Sequence, residues 1–172
     1  AHKLKENKWK DIGSHINNFS TLKEDEILIK TISIEHSNTS LFIYSISNLG
    51  RVKKIKLSDC ITNRIMPIIY FKLSENELVT SLTINDDNDL DQIAIFTKKN
   101  LALRFSIKNI PLLGLKNKGK TCIKLEKKDS VSHILIANES NTIILIGDNG
   151  GCKKMKFSDV LLSNYNHYGQ PY

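Results

Sequence analysis

Ile43-Tyr44-Ser45-Ile46-Ser47-Asn48-Leu49-Gly50-Arg51-Val52-Lys53-Lys54-Ile55-Lys56-Leu57-Ser58-Asp59 reads as an apolar strand, a tight turn and a basic strand. The same order returns twice more at a spacing of 50 residues. Ile93-Ala94-Ile95-Phe96 and Ile143-Ile144-Leu145-Ile146 repeat the apolar run. Asn100 and Gly150 take the place of Gly50, and Gly and Asn best tolerate the positive φ that a tight hairpin requires. The second strand recurs as Ala102-Leu103-Arg104-Phe105-Ser106-Ile107 and Cys152-Lys153-Lys154-Met155-Lys156-Phe157. Ser-Asp closes the first and third copies, at Ser58-Asp59 and Ser158-Asp159.

A second half-unit repeats as well. Leu22-Lys23-Glu24-Asp25-Glu26-Ile27-Leu28 aligns with Leu73-Ser74-Glu75-Asn76-Glu77-Leu78-Val79 and with Leu125-Glu126-Lys127-Lys128-Asp129-Ser130-Val131. These are acidic turns leading into apolar strands, expected over residues 27–34 and 131–137. One unit therefore predicts about four short strands: a tight hairpin, a long loop, and a second hairpin with an acidic turn. Helical periodicity is weak and β-branched residues are abundant. The expected fold is all-β, a propeller-like array of four-stranded antiparallel blades, with a partial set of about 3–4 blades present. Within one domain over residues 1–172, the repeats fall at 1–37 (a half blade), 38–87, 88–138 and 139–172 (a half blade). A blade cannot bury its apolar face alone. Two full units flanked by halves are expected of a piece of a longer array; the alternative is that the two halves complete one blade.

The chain has 172 residues, 40% hydrophobic and 25% charged, which suits a folded globular domain with a real core. No apolar run approaches the roughly 18 residues of a membrane span, and the polar, lysine-rich residues 1–12 do not read as a secretory signal. Cys60, Cys122 and Cys152 form no CxxC pair, and the five histidines lack metal-ligand spacing. Reduced thiols in a cytosol and no metal site are expected. The net charge is +7 and the pI about 9.3. That favours a polyanion such as nucleic acid or an anionic membrane surface. Compositional drift is the alternative, since Arg51, Arg64 and Arg104 are the only arginines and Ile and Asn are plentiful.

Strand alternation places Ile55 and Leu57 on one face, with Phe105, Ile107, Met155 and Phe157 as counterparts. Position 54 points the other way and is basic in every copy: Lys54, Arg104 and Lys154. Position 56 follows as Lys56, Ser106 and Lys156. Acidic residues gather in turns, at Glu24 to Glu26, Glu75, Glu77, Asp86, Asp87, Asp89 and Asp91. Blades in a ring would align the basic positions as a belt for the phosphates of a bent duplex, releasing counterions. A solvated strand face kept charged for solubility and edge protection is the other reading.

Gly114-Leu115-Lys116-Asn117-Lys118-Gly119-Lys120-Thr121 matches the phosphate-loop pattern GxxxxGK[ST]. That loop works only between a strand and a helix whose N-terminus faces the phosphates. Here Cys122-Ile123-Lys124-Leu125 and an acidic turn follow, which predict strand and hairpin. Lys116, Lys118 and Lys120 are instead expected to touch nucleic-acid backbone, with no cofactor bound by this domain.

Asn48-Leu49-Gly50-Arg51-Val52-Lys53-Lys54, Thr97-Lys98-Lys99-Asn100-Leu101-Ala102-Leu103-Arg104-Phe105-Ser106, and the continuation through Gly114, Gly119 and Ile123-Lys124-Leu125 together resemble the C-terminal domain of the A subunits of bacterial DNA gyrase and topoisomerase IV. Leu4-Lys5-Glu6-Asn7-Lys8-Trp9-Lys10-Asp11-Ile12-Gly13-Ser14-His15-Ile16 looks like the segment of topoisomerase IV A subunits from Gram-positive relatives. The gyrase signature Gln-Arg-Arg-Gly-Gly-Lys-Gly is absent from this span. The resemblance inclines to topoisomerase IV, with gyrase as the alternative. It implies a β-pinwheel whose basic rim binds and bends duplex DNA, in a cytoplasmic, nucleoid-associated enzyme. It further implies that this domain is non-catalytic and presents DNA to an ATP-dependent strand-passage core. The implied partners are the A-subunit cleavage core and the ATPase B subunit of an A2B2 heterotetramer, with ATP and Mg²⁺ held elsewhere. The family's nucleophilic tyrosine follows an arginine, and no Arg-Tyr pair occurs here. Tyr44 is expected in the core; Tyr165, Tyr168 and Tyr172 are expected to be loop aromatics.

The candidate DNA-binding set is Arg51, Lys54, Lys56, Arg104, Lys154 and Lys156, helped by Lys116, Lys118 and Lys120, with Lys53, Lys108 and Lys153 second. Phosphate contacts of this kind carry no base readout, so sequence-tolerant binding is expected. A protein-interaction propeller and a nucleotide-binding enzyme are the competing readings.

Overall fold

Each hairpin turns where the sequence marks it: Gly50, Asn100 and Gly150 have φ of 76°, 59° and 79°. The acidic turns use the same device at Asn76 (58°) and Lys128 (64°). The computed structural model of the chain describes residues 6–18, 22–23, 25–34, 40–61 and 67–172. Its strands are β1 (Phe42–Ser47), β2 (Arg51–Lys56), β3 (Val79–Asn85), β4 (Gln92–Thr97), β5 (Leu101–Ser106) and β6 (Lys120–Thr121). β7 (Ile123–Lys124), β8 (Val131–Ala137), β9 (Thr142–Ile146), β10 (Cys152–Lys156), β11 (His167–Tyr168) and β12 (Gln170–Pro171) follow.

The hairpin registers are the same in every copy. Ile43 faces Ile55, Ile93 faces Phe105 and Ile143 faces Met155. β3 and β8 then pair antiparallel with the other edges of β1 and β4. A short 3-10 turn follows each basic strand and buries its first residue: Leu57, Ile107 or Phe157. The Ser-Asp ending serves this turn in the third copy, where the Asp159 carboxylate accepts from the Lys156 amide at 2.9 Å.

The fourth strand of the first and second blades does not come from its own repeat. The first sheet runs β3-β1-β2-β6 and the second β8-β4-β5-β12. β6 belongs in sequence to the second repeat, yet Thr121 pairs with Arg51 and Lys120 with Val52. β12 does the same one repeat later, pairing Gln170 with Ala102 and Pro171 with Leu101. Instead of a second hairpin closed within each unit, each repeat lends a strand backwards to its predecessor.

Blade faces stack on each other. Tyr44, Ile46 and Val52 of the first blade meet Ile93, Ile95, Leu103 and Phe105 of the second. Ala94, Phe96 and Ala102 of the second meet Ile143, Met155 and Phe157 of the third. Ile43, Ile55 and Leu57 fill the far face of the first blade with Leu82 and Ile84. Ile55, Leu57, Phe105, Ile107, Met155 and Phe157 are all buried, as the alternation predicts.

The expected strand over residues 27–34 is absent among the described residues, and Ile27 is 83% exposed. The segment lies beside β3, where Lys30 Nζ donates to the Leu82 carbonyl at 2.9 Å. Glu24 and residues 19–21 and 35–37 of the expected half unit, together with Leu4 and Lys5 of the Trp9 segment, lie outside the described residues. At the other end, β9 pairs with β10 alone. The two halves therefore do not complete one blade among the described residues.

Phe105, 1% exposed at the junction of two blades, is expected to anchor the array. Phe105→Ala should cost about 3–5 kcal/mol in urea unfolding. Ile144→Ala, at an exposed position of β9, should change stability by less than about 0.5 kcal/mol.

Candidate nucleic-acid interface

The basic strand β2 contributes four of the twelve candidate residues, and their environments diverge sharply. Arg51 donates from Nε to Glu77 Oε1 at 2.7 Å and from a terminal nitrogen to Ser74 Oγ at 3.0 Å. It thereby ties the acidic turn to the start of β2. Lys53 is completely buried. Its ammonium donates to the Asn117 carbonyl at 2.8 Å and lies 5.8 Å from the Phe71 ring centroid. Burial lowers its pKa. Lys54 is 7% exposed, ion-paired with Asp87, and 4.6 Å from the Phe42 ring centroid. Lys56, at the end of the strand, is exposed.

Arg104 repeats the Lys54 arrangement. It is 4% exposed, and its Nε donates to the Val160 carbonyl at 2.6 Å. Its other nitrogens bond Gln92, Glu139 and the Ser158 carbonyl. The loop of the next repeat covers each of these cations, bridging at Lys54 to Leu112 and at Arg104 to Leu162. Lys154 is exposed.

The expectation that position 54 forms an outward belt is thus corrected for Lys54 and Arg104. Alternation sends their side chains off the core face as predicted. Both faces of the first and second blades are covered, however, so the opposite face there is not solvent. Lys53 is likewise interior, and Arg51 is half-buried in its ion pair. The sequence does carry a signal of this pairing: Asp87 and Glu139 follow Lys54 and Arg104 by 33 and 35 residues.

The other candidates face water. Lys116, with φ of 63°, Lys118 and Lys120 are exposed on the loop that leads into β6. β6 forms the outer edge of the first sheet, where Lys120 pairs with Val52 at the start of β2, and Lys56 is exposed at the other end of that strand. Lys153, Lys154 and Lys156 are exposed on β10. Lys108 is exposed and meets Asp89 at 3.1 Å. Sequence reading passes over Lys124, which is exposed with its ammonium 5.9 Å from the Tyr168 ring centroid. Parallel pairing of β7 with β11 makes that neighbour, and no local pattern announces such a pairing.

Thr121 of the phosphate-loop pattern ends β6, and Cys122 leads into β7 rather than into a helix. The Cys122 amide donates to the Gly50 carbonyl at 2.9 Å, so the motif's residues serve the inter-blade seam. Tyr44 is buried and donates to Asp87; burial and that carboxylate push its phenol far up. Tyr165 packs edge-on against Phe105, 5.3 Å between centroids, and burial raises its pKa to about 12. Tyr172 packs against Phe96 and Tyr168 is exposed. Among the described residues, no group of three or more His, Cys, Asp or Glu is placed to hold a metal, and no helix is long and apolar enough to cross a membrane.

The family described as "DNA gyrase C-terminal domain, beta-propeller" matches residues 42–86, 91–138 and 141–166. The chain belongs to this family. It is a gyrase-type C-terminal β-propeller, or β-pinwheel, domain. The chain is 28% identical over 158 residues to the A subunit of DNA topoisomerase 4 from Staphylococcus aureus (strain MRSA252), covering 91% of this chain and 20% of that protein. The chain thus spans about a fifth of the length of the curated relatives it matches. Among solved structures, the C-terminal domain of DNA topoisomerase IV superposes with a TM-score of 0.86 at 23% identity, covering 99% of this chain and 53% of that one. The E. coli ParC C-terminal domain gives 0.68 at 16% identity, over 95% and 67%. The DNA gyrase A C-terminal domain gives 0.61 at 22%, over 78% and 43%.

Asp87 joins the propeller's interior network to acid stability. Its burial would raise the carboxyl pKa, but hydrogen bonds from Lys54 and Tyr44 and the Lys54 charge outweigh this and leave it lowered. A depressed carboxyl stabilises the fold fully above the ordinary aspartate pKa of about 4, and that share is lost as pH falls through the lower folded value. Asp87→Asn should therefore be less stable at pH 7 and show a shallower loss of stability below about pH 4, measured by urea unfolding across pH.

Proposed function

We propose that this domain binds duplex DNA by its phosphates through exposed lysines and carries no catalytic group. The observation that supports it most is the edge of the first sheet. Lys120 on that edge, Lys116 and Lys118 in the loop before it, and Lys56 at the end of β2 are exposed and lack a carboxylate partner among the described residues. Lys108, Lys124 and Lys156 are also exposed and add further charge. Lysine ammonium groups reaching phosphates position a duplex without reading bases, so binding is sequence-tolerant. Arg51, Lys53, Lys54 and Arg104 contribute by holding the blades.

The family and the topoisomerase 4 relatives support a place in the A subunit of topoisomerase IV. There the domain would hold a DNA segment for the ATP-dependent strand-passage core in the bacterial cytoplasm. Its partners would be duplex DNA, the A-subunit cleavage core and the ATPase B subunit, with ATP and Mg²⁺ bound outside this domain.

Fluorescence anisotropy with a labelled mixed-sequence duplex tests this at rising salt. The logarithm of affinity should fall linearly with log salt, by about 0.9 per phosphate contacted. Combined charge reversal of Lys116, Lys118, Lys120 and Lys56 should abolish binding and leave the fold intact. Affinity indifferent to salt, or binding retained by that variant, would refute the phosphate-contact mechanism.

A further inference from the structure

The loop over residues 114–121 is tied to the first blade at both ends. The Leu113 amide donates to the Lys54 carbonyl at 2.9 Å, and β6 pairs with β2. Gly119 closes the second tie, because a Cβ there would lie 2.7 Å from the Phe71 ring and 2.8 Å from the Val52 carbonyl oxygen. Between these ties the loop is gripped in its middle. The Asn117 carbonyl accepts from the Lys53 ammonium at 2.8 Å and from the Lys72 amide at 3.3 Å. Lys116 and Lys118, both exposed, flank the gripped residue.

The following repeat provides an internal comparison. Asn164-Tyr165-Asn166-His167-Tyr168-Gly169-Gln170-Pro171 follows the same course, except that its middle is held by pairing of β11 with β7. Asn166 has φ of 60° where Lys116 has 63°. Gly169 is closed against Leu101, and β12 docks on β5. That loop contains no lysine, and the residue beneath it is Leu103 in place of Lys53. The fold therefore accepts leucine at this position. A buried ammonium costs desolvation that leucine avoids, and it occurs under the copy whose loop carries three lysines.

We propose that Lys53 is a positioning residue for DNA binding: by holding the Asn117 carbonyl it fixes the loop so that Lys116, Lys118 and Lys120 meet phosphates as a set. This rests on the phosphate-binding reading above and assigns the residue that organises it. Three like charges on a short loop repel one another and would otherwise have to be ordered on binding, at a cost in affinity. Lys53 itself is fully buried, so its part is to hold the loop rather than to meet a phosphate.

The salt slope of duplex binding separates the roles. Lys118→Ala removes one contact and should lower the slope by about 1. Lys53→Leu, the residue of the next repeat, removes no surface charge, yet should lower it by about 2 to 3, as losing the set would. Lys53→Met keeps the apolar stem without the donor to Asn117 and should lower the slope in the same direction, which decides the matter if Lys53→Leu does not fold. A merely structural Lys53 would lower the melting temperature and leave the slope of the folded protein unchanged. That result, alongside a reduced slope in Lys118→Ala, overturns the positioning role alone. Unchanged slopes in Lys116→Ala, Lys118→Ala and Lys120→Ala would overturn the DNA reading of this loop and the positioning role with it.

Discussion

Two residues from each following repeat hydrogen-bond the free edge of the preceding basic strand. β6 completes the sheet of β2, and β12 completes the sheet of β5. An unpaired strand edge exposes a row of amides and carbonyls that invites aggregation. Here the edge is closed by a neighbour in the same chain, so adjacent blades are joined by backbone as well as by side chains. The lent strand brings its preceding loop with it. That loop then lies over the side chains at positions 53, 54 and 104 and turns them from surface charges into interior ones.

Interior charge is tolerated because it is paired. Arg51 with Glu77, Lys54 with Asp87, and Arg104 with Glu139 and the Val160 carbonyl each join segments far apart in sequence. A buried cation left without such partners would be strongly destabilising. The first two tie β2 to turns of its own blade, and Arg104 also reaches carbonyls of the following repeat at Val160 and Ser158. The cations used in this way are withdrawn from any ligand. The lysines of the 116–120 loop, by contrast, remain exposed.

The phosphate-loop pattern shows how context decides a motif. Gly114, Gly119, Lys120 and Thr121 satisfy its spacing. Gly119 is required because Phe71 and the Val52 carbonyl leave no room for a side chain, and Thr121 ends a strand. The glycine serves a close approach of backbones across the blade seam.

Local chemistry was enough to read the hairpins. Turn residues with positive φ, alternating apolar positions and a 50-residue period depend on near neighbours, so Gly50, Asn100 and Gly150, the strands around them and the buried face at 55, 105 and 155 were all legible. The propeller-type array followed from repetition of that unit. Solvent exposure of the opposite face was not legible. Burial of Lys54 is set by Leu112, 58 residues away, and that of Arg104 by Leu162. Alternation says only that a side chain leaves one face of a sheet. Whether water or another blade waits on the far side depends on contacts across repeats, which folding brings together and no local pattern encodes.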